Sequence, residues 1–276
     1  MTEIDHCGGV AVPLLSAHPV SDDMQDLVLR NLADLESRHQ VTVLFACESG
    51  SRAWGFASPD SDYDVRFVYV NRLPWYLTVE PRRDVIELPI SGELDISGWD
   101  LRKALLLLRQ SNPTLLEWLG SPLLYREEAG AMQRFRVLAE AGFSPVRGYH
   151  HYLSMAKKNF REHLQGDMVR YKKYLYVLRP LLAARWIRQG LGVPPMRFAD
   201  LAAATLQEPA LLHEINRLLE VKMRSGEAAA GPRWDGLHRF IERELEVAQK
   251  AVLPDSTRPA GAELDAFLAE MVRQFG

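Results

Sequence analysis

The sequence predicts an α+β protein: a small mixed β-sheet with flanking helices over residues 1–125, followed by an α-helical domain over residues 126–276. Two observations lead there. Runs rich in β-branched and aromatic residues, the usual material of strands, are confined to the first part. From about residue 128 apolar residues recur at helical spacing between Gly and Pro breaks. The charge also divides: residues 1–100 hold 17 Asp and Glu against 7 Arg and no Lys, a net of −10, while residues 147–188 hold 10 Lys and Arg against 2 acids, a net of +8. Acidic surface suits cations and basic surface suits polyanions.

The elements follow in order. Residues 1–20 carry Gly and Pro without a period and read as a loose arm. Ser21 is a helix N-cap, followed by acids in the first turn and by Met24, Leu27, Val28, Leu32 and Leu35 at helical spacing. VTVLFAC (41–47) is a buried strand, and a second runs from about Asp64 to Val70. Arg83–Pro89 and Glu93–Ile96 form a hairpin about Ser91-Gly92. Asp100 caps a helix through LRKALLLLRQ, and Asn112-Pro113 opens another through LLEWL. Helices are then expected over 128–141, 145–165, 168–189, 207–224, 234–251 and 261–274, with EAAAGP (227–232) as a flexible loop.

Composition excludes several classes. No stretch reaches the ~18–20 apolar residues of a membrane span, and Leu175–Ile187 is broken by Arg179, Pro180 and Arg185. The N-terminus lacks a secretory pattern, so a cytoplasmic location is expected. Cys7 and Cys47 supply neither a disulfide framework nor a zinc site, and Cys47 reads as a small core residue. His150-His151 lacks metal-ligand spacing and, between Tyr149 and Tyr152, reads as interfacial packing. Trp75, Trp99, Trp118, Trp186 and Trp234 read as core or junction residues.

The chemistry concentrates in ESGSRAWGFASPDSDYDVRFVYV (48–70). Asp62 and Asp64 flank Tyr63 at a strand entry, so their carboxylates point to one face. Like charges held side by side need a cation between them, and a divalent metal, Mg2+ or Mn2+, is the simplest. Gly50 lets the backbone approach a phosphate closely, and the Ser51 hydroxyl and nearby N–H groups can donate to it. A third carboxylate is needed for a two-metal site. In ELDIS, Glu93 and Asp95 share one strand face; Asp95 is the choice and Glu93 the runner-up. Asp60 and Ser61 shape the turn.

Gly50-Ser51 followed by Asp62-Tyr63-Asp64 resembles the signature of the DNA polymerase β nucleotidyltransferase superfamily, and GSRAWGFASPDSDYD is similar to its minimal branch. ESGSRAWGF, ISGWDLRKALLLL with SNPTLLEWL, and YKKYLYVLRPLLAARWI resemble, over about residues 45–190, bacterial and phage nucleotidyltransferases associated with RNA repair. The resemblance implies a palm-like catalytic sheet, with metal ions on Asp62, Asp64 and Asp95 and the β- and γ-phosphates of an NTP on Gly50 and Ser51. The minimal branch often has Arg where Trp54 stands; here Arg52 is the substitute. On the helix through VRYKKYLYVLRPLLAARW, Lys172, Tyr176 and Arg179 fall on one face, and Leu175, Leu178 and Leu182 form an apolar stripe. Lys172, Lys173 and Arg179 are therefore expected to clamp the triphosphate or a nucleic-acid backbone.

The expected function is metal-dependent transfer of a nucleoside monophosphate from an NTP to a hydroxyl, foremost on RNA (end repair or 3′ addition). A protein acceptor is the alternative. From another class comes a non-catalytic module that senses a nucleotide or RNA. The base, the acceptor and the oligomeric state have no signature in the sequence.

Overall fold

The computed structural model describes residues 19–225, 229–254 and 261–276. Nearly all of the expected N-terminal arm lies outside the described residues, as does Cys7. The first element is α1 (Asp22–His39), whose Ser21 side chain accepts from the Met24 N–H and whose first turn carries Asp22 and Asp23. Its inward stripe is Val28, Leu32 and Leu35.

β1 (Val41–Glu48), the short α2 (Gly50–Trp54), β2 (Tyr63–Asn71), α3 (Leu73–Tyr76), β3 (Val85–Glu87), β4 (Leu94–Asp100), α4 (Leu101–Arg109), α5 (Pro113–Leu119) and β5 (Leu124–Glu127) follow. The five strands form one mixed sheet in the order β3-β4-β2-β1-β5. β2 and β4 are parallel, while β1–β2, β3–β4 and β1–β5 are antiparallel. Strand β5 extends the sheet beyond the expected strands, and a domain division at 125/126 falls inside it.

The helical part comprises α6 (Ala129–Ala141), α7 (Pro145–His163), α8 (Tyr171–Arg188), α9 (Phe198–Thr205), α10 (Pro209–Ser225), α11 (Asp235–Gln249) and α12 (Gly261–Phe275). Two expectations are corrected here. Residues 168–170 do not begin the helix: they form β6 (Met168–Arg170), antiparallel to β7 (Ala230–Pro232). Part of the expected loop 227–232 is thus a strand, and its first two residues lie outside the described ones. Three-residue strands are too short to display alternation, and only a partner sixty or more residues away completes their hydrogen bonds.

Alternation sorts the sheet residues between two faces. Val65, Phe67, Leu94 and Ile96 pack beneath α1 with Val28, Leu32 and Leu35. Val68 and Val70 face the other way, into a core shared with Leu101, Leu105, Tyr174, Leu178, Phe267 and Met271. Asp64, Arg66 and Asp95 have the parity of this second, helix-covered face. Cys47 is buried in the same core, as read from the sequence.

Candidate active site

Two parallel strands begin the site. In the β2–β4 register Asp64 lies opposite Asp95, and Tyr63 opposite Leu94. Both carboxylates reach one guanidinium nitrogen: Arg66 Nη2 donates to Asp64 Oδ1 and to Asp95 Oδ2, each at 2.8 Å. Arg66 sits two residues beyond Asp64 on the same strand face, so a resident cation already separates the pair. Asp62 stands one residue before β2 and is exposed. Glu93 is exposed before β4, and its carbonyl accepts from the Tyr63 N–H at 2.7 Å.

The glycine-serine turn closes against this pair. Gly50 adopts φ +58°, and a Cβ placed on it would lie 2.0 Å from Asp64 Oδ2. Only glycine therefore lets the turn backbone press onto that carboxylate. The Ser49 N–H donates to the Asp64 carbonyl at 2.8 Å, joining turn and strand. Ser51 is buried at the start of α2, and its hydroxyl has no hydrogen-bond partner among the described residues.

Burial raises the Asp64 carboxyl above its usual range; Arg66 opposes this, while the charges of Asp95 and Asp62 reinforce it. Beneath it lies Glu48, fully buried at the end of β1. Glu48 Oε1 accepts from the Asp64 N–H at 2.8 Å, and Oε2 accepts from the Tyr125 hydroxyl. Burial pushes the Glu48 carboxyl up to about 7 despite those two hydrogen bonds.

The basic residues divide. The Arg52 guanidinium donates to the Ser61 carbonyl at 2.7 Å and the Asp62 carbonyl at 3.2 Å, and lies over the Tyr63 ring. It braces the turn that presents Asp62. Arg179 requires a correction: it does not share an open face with Lys172. It is 3% exposed, pairs with Glu117 at 2.9 Å and donates to the Met196 carbonyl. The reason is that α8 runs through the middle of the helical core and is buried on every side from Val177 to Ala184. Lys172 and Lys173 stay partly exposed at its start, and Lys173 lies over the Tyr176 ring. Tyr176 in turn meets Trp54 edge-on at 5.5 Å, which places the start of α8 beside α2. Trp54, at the position where the minimal branch often has Arg, packs under the Arg179 guanidinium.

Sequence reasoning missed Glu48, Arg66 and Lys222. Arg66 was legible, being two residues from Asp64 in a strand. Lys222 was not: α10 carries it, buried, to the Ser58 hydroxyl at 2.6 Å, where Ser61 Oγ also accepts from the Ser58 N–H. The Asp60–Ser61 turn is thus held as expected by Ser61, and from behind by a residue distant in sequence.

For a metal, the donor set is one of hard carboxylate oxygens, which suits Mg2+ or Mn2+. Among the described residues no three His, Cys, Asp or Glu side chains converge closely enough to hold an ion in this arrangement. Asp64 and Asp95 meet through Arg66, with Asp62 at the rim. The pair fits a cation because it already shares one.

The class of this mixed sheet, with its paired aspartates beside a glycine-serine turn, is given by its family match: a DNA polymerase β-type nucleotidyltransferase. The chain belongs to the RNA repair pathway DNA polymerase beta family, whose sequence pattern matches residues 24–270. It is 44% identical over 253 residues to the uncharacterized protein YcgL of Bacillus subtilis (strain 168), covering 91% of this chain and 97% of that protein. The crystal structure of a nucleotidyltransferase-like protein from Exiguobacterium sibiricum 255-15 aligns with a TM-score of 0.31 and 13% identity, over 90% of this chain and 75% of that one. Among the described residues no helix is long and apolar enough to cross a membrane.

Proposed function

We propose that the protein transfers a nucleoside monophosphate from an NTP to a hydroxyl of RNA, in end repair or 3′ addition. The observation that carries this reading is the apposition of Gly50, Asp64 and Asp95: a backbone turn fit for phosphates lies against two acids in register on parallel strands. Membership of a family associated with RNA repair favours RNA as acceptor, as does the basic stretch 147–188.

Asp62, Asp64 and Asp95 would hold Mg2+ or Mn2+, which when bound supplies neutralisation of the charge developing on the phosphates. Gly50 and the uncommitted Ser51 hydroxyl receive the β- and γ-phosphates. Lys172 and Lys173, beside α2, meet the triphosphate or the incoming strand. The acceptor hydroxyl attacks the α-phosphorus in line, its proton leaves to a carboxylate or water, and pyrophosphate departs.

Incubation with each α-labelled NTP, Mg2+ or Mn2+ and mixed RNA tests the reading. Label is expected on RNA, and Asp62→Ala with Asp64→Ala abolishes it. Label on the protein would move the acceptor to a side chain; label on neither, with nucleotide still bound, would make the chain a sensor.

A further inference from the structure

A cavity of about 790 Å³ lies away from the aspartates, where α4 ends and α5 and α7 begin. Arg109, Ser111, Asn112, Arg147, His150 and His151 line it, and no carboxylate does. Among the described residues neither Arg109 nor Arg147 has an ion-pair partner. His150 and His151, expected to pack an interface, instead face outward, while Tyr149 and Tyr152 beside them are buried.

The charges have the wrong sign for the fold. The first turn of α7 holds Arg147 and no acid, yet a helix N-terminus carries partial positive charge and favours anions. Such a set is balanced by a negative ligand. The walls are fixed in place: the Ser111 hydroxyl donates to the Gly142 carbonyl at 3.2 Å and accepts from the Ser144 N–H at 2.8 Å. Asn112 caps α5, accepting from the Leu115 N–H. That helix also ties the cavity to the catalytic side. Glu117, on α5, pairs with Arg179, which lies over Trp54 of α2. Seven helical residues span about 10 Å, the length of α5 between the cavity rim and that contact.

We propose that this cavity seats phosphodiester groups of a single-stranded RNA, holding the acceptor strand while its end reaches Asp64 and Asp95. The planar guanidinium forks of Arg109 and Arg147 match phosphate oxygens, and the exposed imidazoles can donate to them or stack on a base. The volume exceeds what one phosphate fills and suits a strand segment. The proposal rests on RNA being the acceptor, but its test needs no catalysis.

Anisotropy of a fluorescein-labelled single-stranded RNA, measured without metal or NTP at several salt concentrations, tests it. Replacing both Arg109 and Arg147 with Ala should weaken binding about tenfold near physiological salt and reduce the salt slope by about 1.4. Arg147→Glu should weaken it further. Both variants should keep the wild-type unfolding temperature and the NTP-dependent thermal shift. Unchanged RNA affinity and slope would overturn the proposal. So would a loss of the NTP shift in parallel with RNA binding. A thermal shift by inorganic phosphate or AMP that needs both arginines, with RNA binding intact, would assign the cavity to a small ligand and overturn it too. Unchanged RNA affinity with the NTP shift kept would overturn this proposal alone and leave the NTP reading, which depends on Asp62 and Asp64, intact.

Discussion

Glycine at position 50 is the most constrained choice in the site. Its φ of +58° is a conformation that costs other residues about 1–2 kcal/mol. Its missing side chain also leaves the space that Asp64 Oδ2 occupies. Gly50→Ala should therefore lower unfolding free energy by about 1–2 kcal/mol, and displacement of Asp64 should cut nucleotidyl transfer about 100-fold or more. Denaturant titration and single-turnover rates read the two effects. Glu48 makes a different prediction. Its carboxyl rises from an ordinary value of 4.5 to about 7 in the fold, so the folded chain keeps a proton that the unfolded chain releases. Stability present below pH 4.5 is lost as pH rises towards 7 and levels off above it, a change of about 3 kcal/mol. Glu48→Gln keeps an acceptor for the Asp64 N–H and removes the titration. With chelator present, the wild-type unfolding temperature should fall from pH 5 to 7.5 relative to the variant; parallel curves would refute the buried proton.

At the scale of elements, what the sequence made legible and what it hid separate by contact range. Ser21, Asp100 and Asn112 were readable as caps because each bonds a backbone N–H two or three residues on. Asp64 and Asp95 were legible as same-face neighbours because strand parity is local, and the β2–β4 register brings them opposite each other; Asp62, exposed one residue before β2, lies outside that ladder. Arg179 was misread because periodicity describes one helix alone. A polar residue at helical spacing looks solvated until a neighbouring helix supplies Glu117. The short β5, β6 and β7 and the eight-residue α9 carry too few residues for a period to emerge. The Arg179 pair has a measurable consequence. Arg179→Met leaves the Glu117 charge buried without its partner and should cost about 3–5 kcal/mol in urea unfolding. Adding Glu117→Gln, which still accepts from the Tyr152 hydroxyl, removes that charge and should recover more than half the loss. Additive losses would mean the pair is not coupled.

Across the whole molecule, the catalytic sheet depends on the far end of the chain. α12 returns to pack on α4 and β2, burying Leu264, Phe267, Met271 and Val272. Phe267 stacks on Phe135 at 5.6 Å, and Arg134 pairs with Glu270 beside them. Beyond the helix, the Thr42 hydroxyl donates to the Phe275 carbonyl at 2.7 Å, pinning the terminus to the start of β1. Those apolar side chains are worth about 6 kcal/mol or more, on a par with the total stability of a typical domain at about 5–15 kcal/mol. The exposed Arg134–Glu270 pair adds little by comparison. Deleting residues 261–276 should therefore unfold the sheet that carries Asp64 and Asp95, rather than merely trim a surface helix. Circular dichroism and limited proteolysis would register it as lost helix signal and rapid cleavage within 41–127. Thr42→Val, which removes only the hydrogen bond, should cost about 1 kcal/mol and leave transfer intact. A truncated chain that kept its thermal transition and its NTP-dependent shift would show that the sheet folds without α12, and that the continuous core contributes far less than its buried area implies.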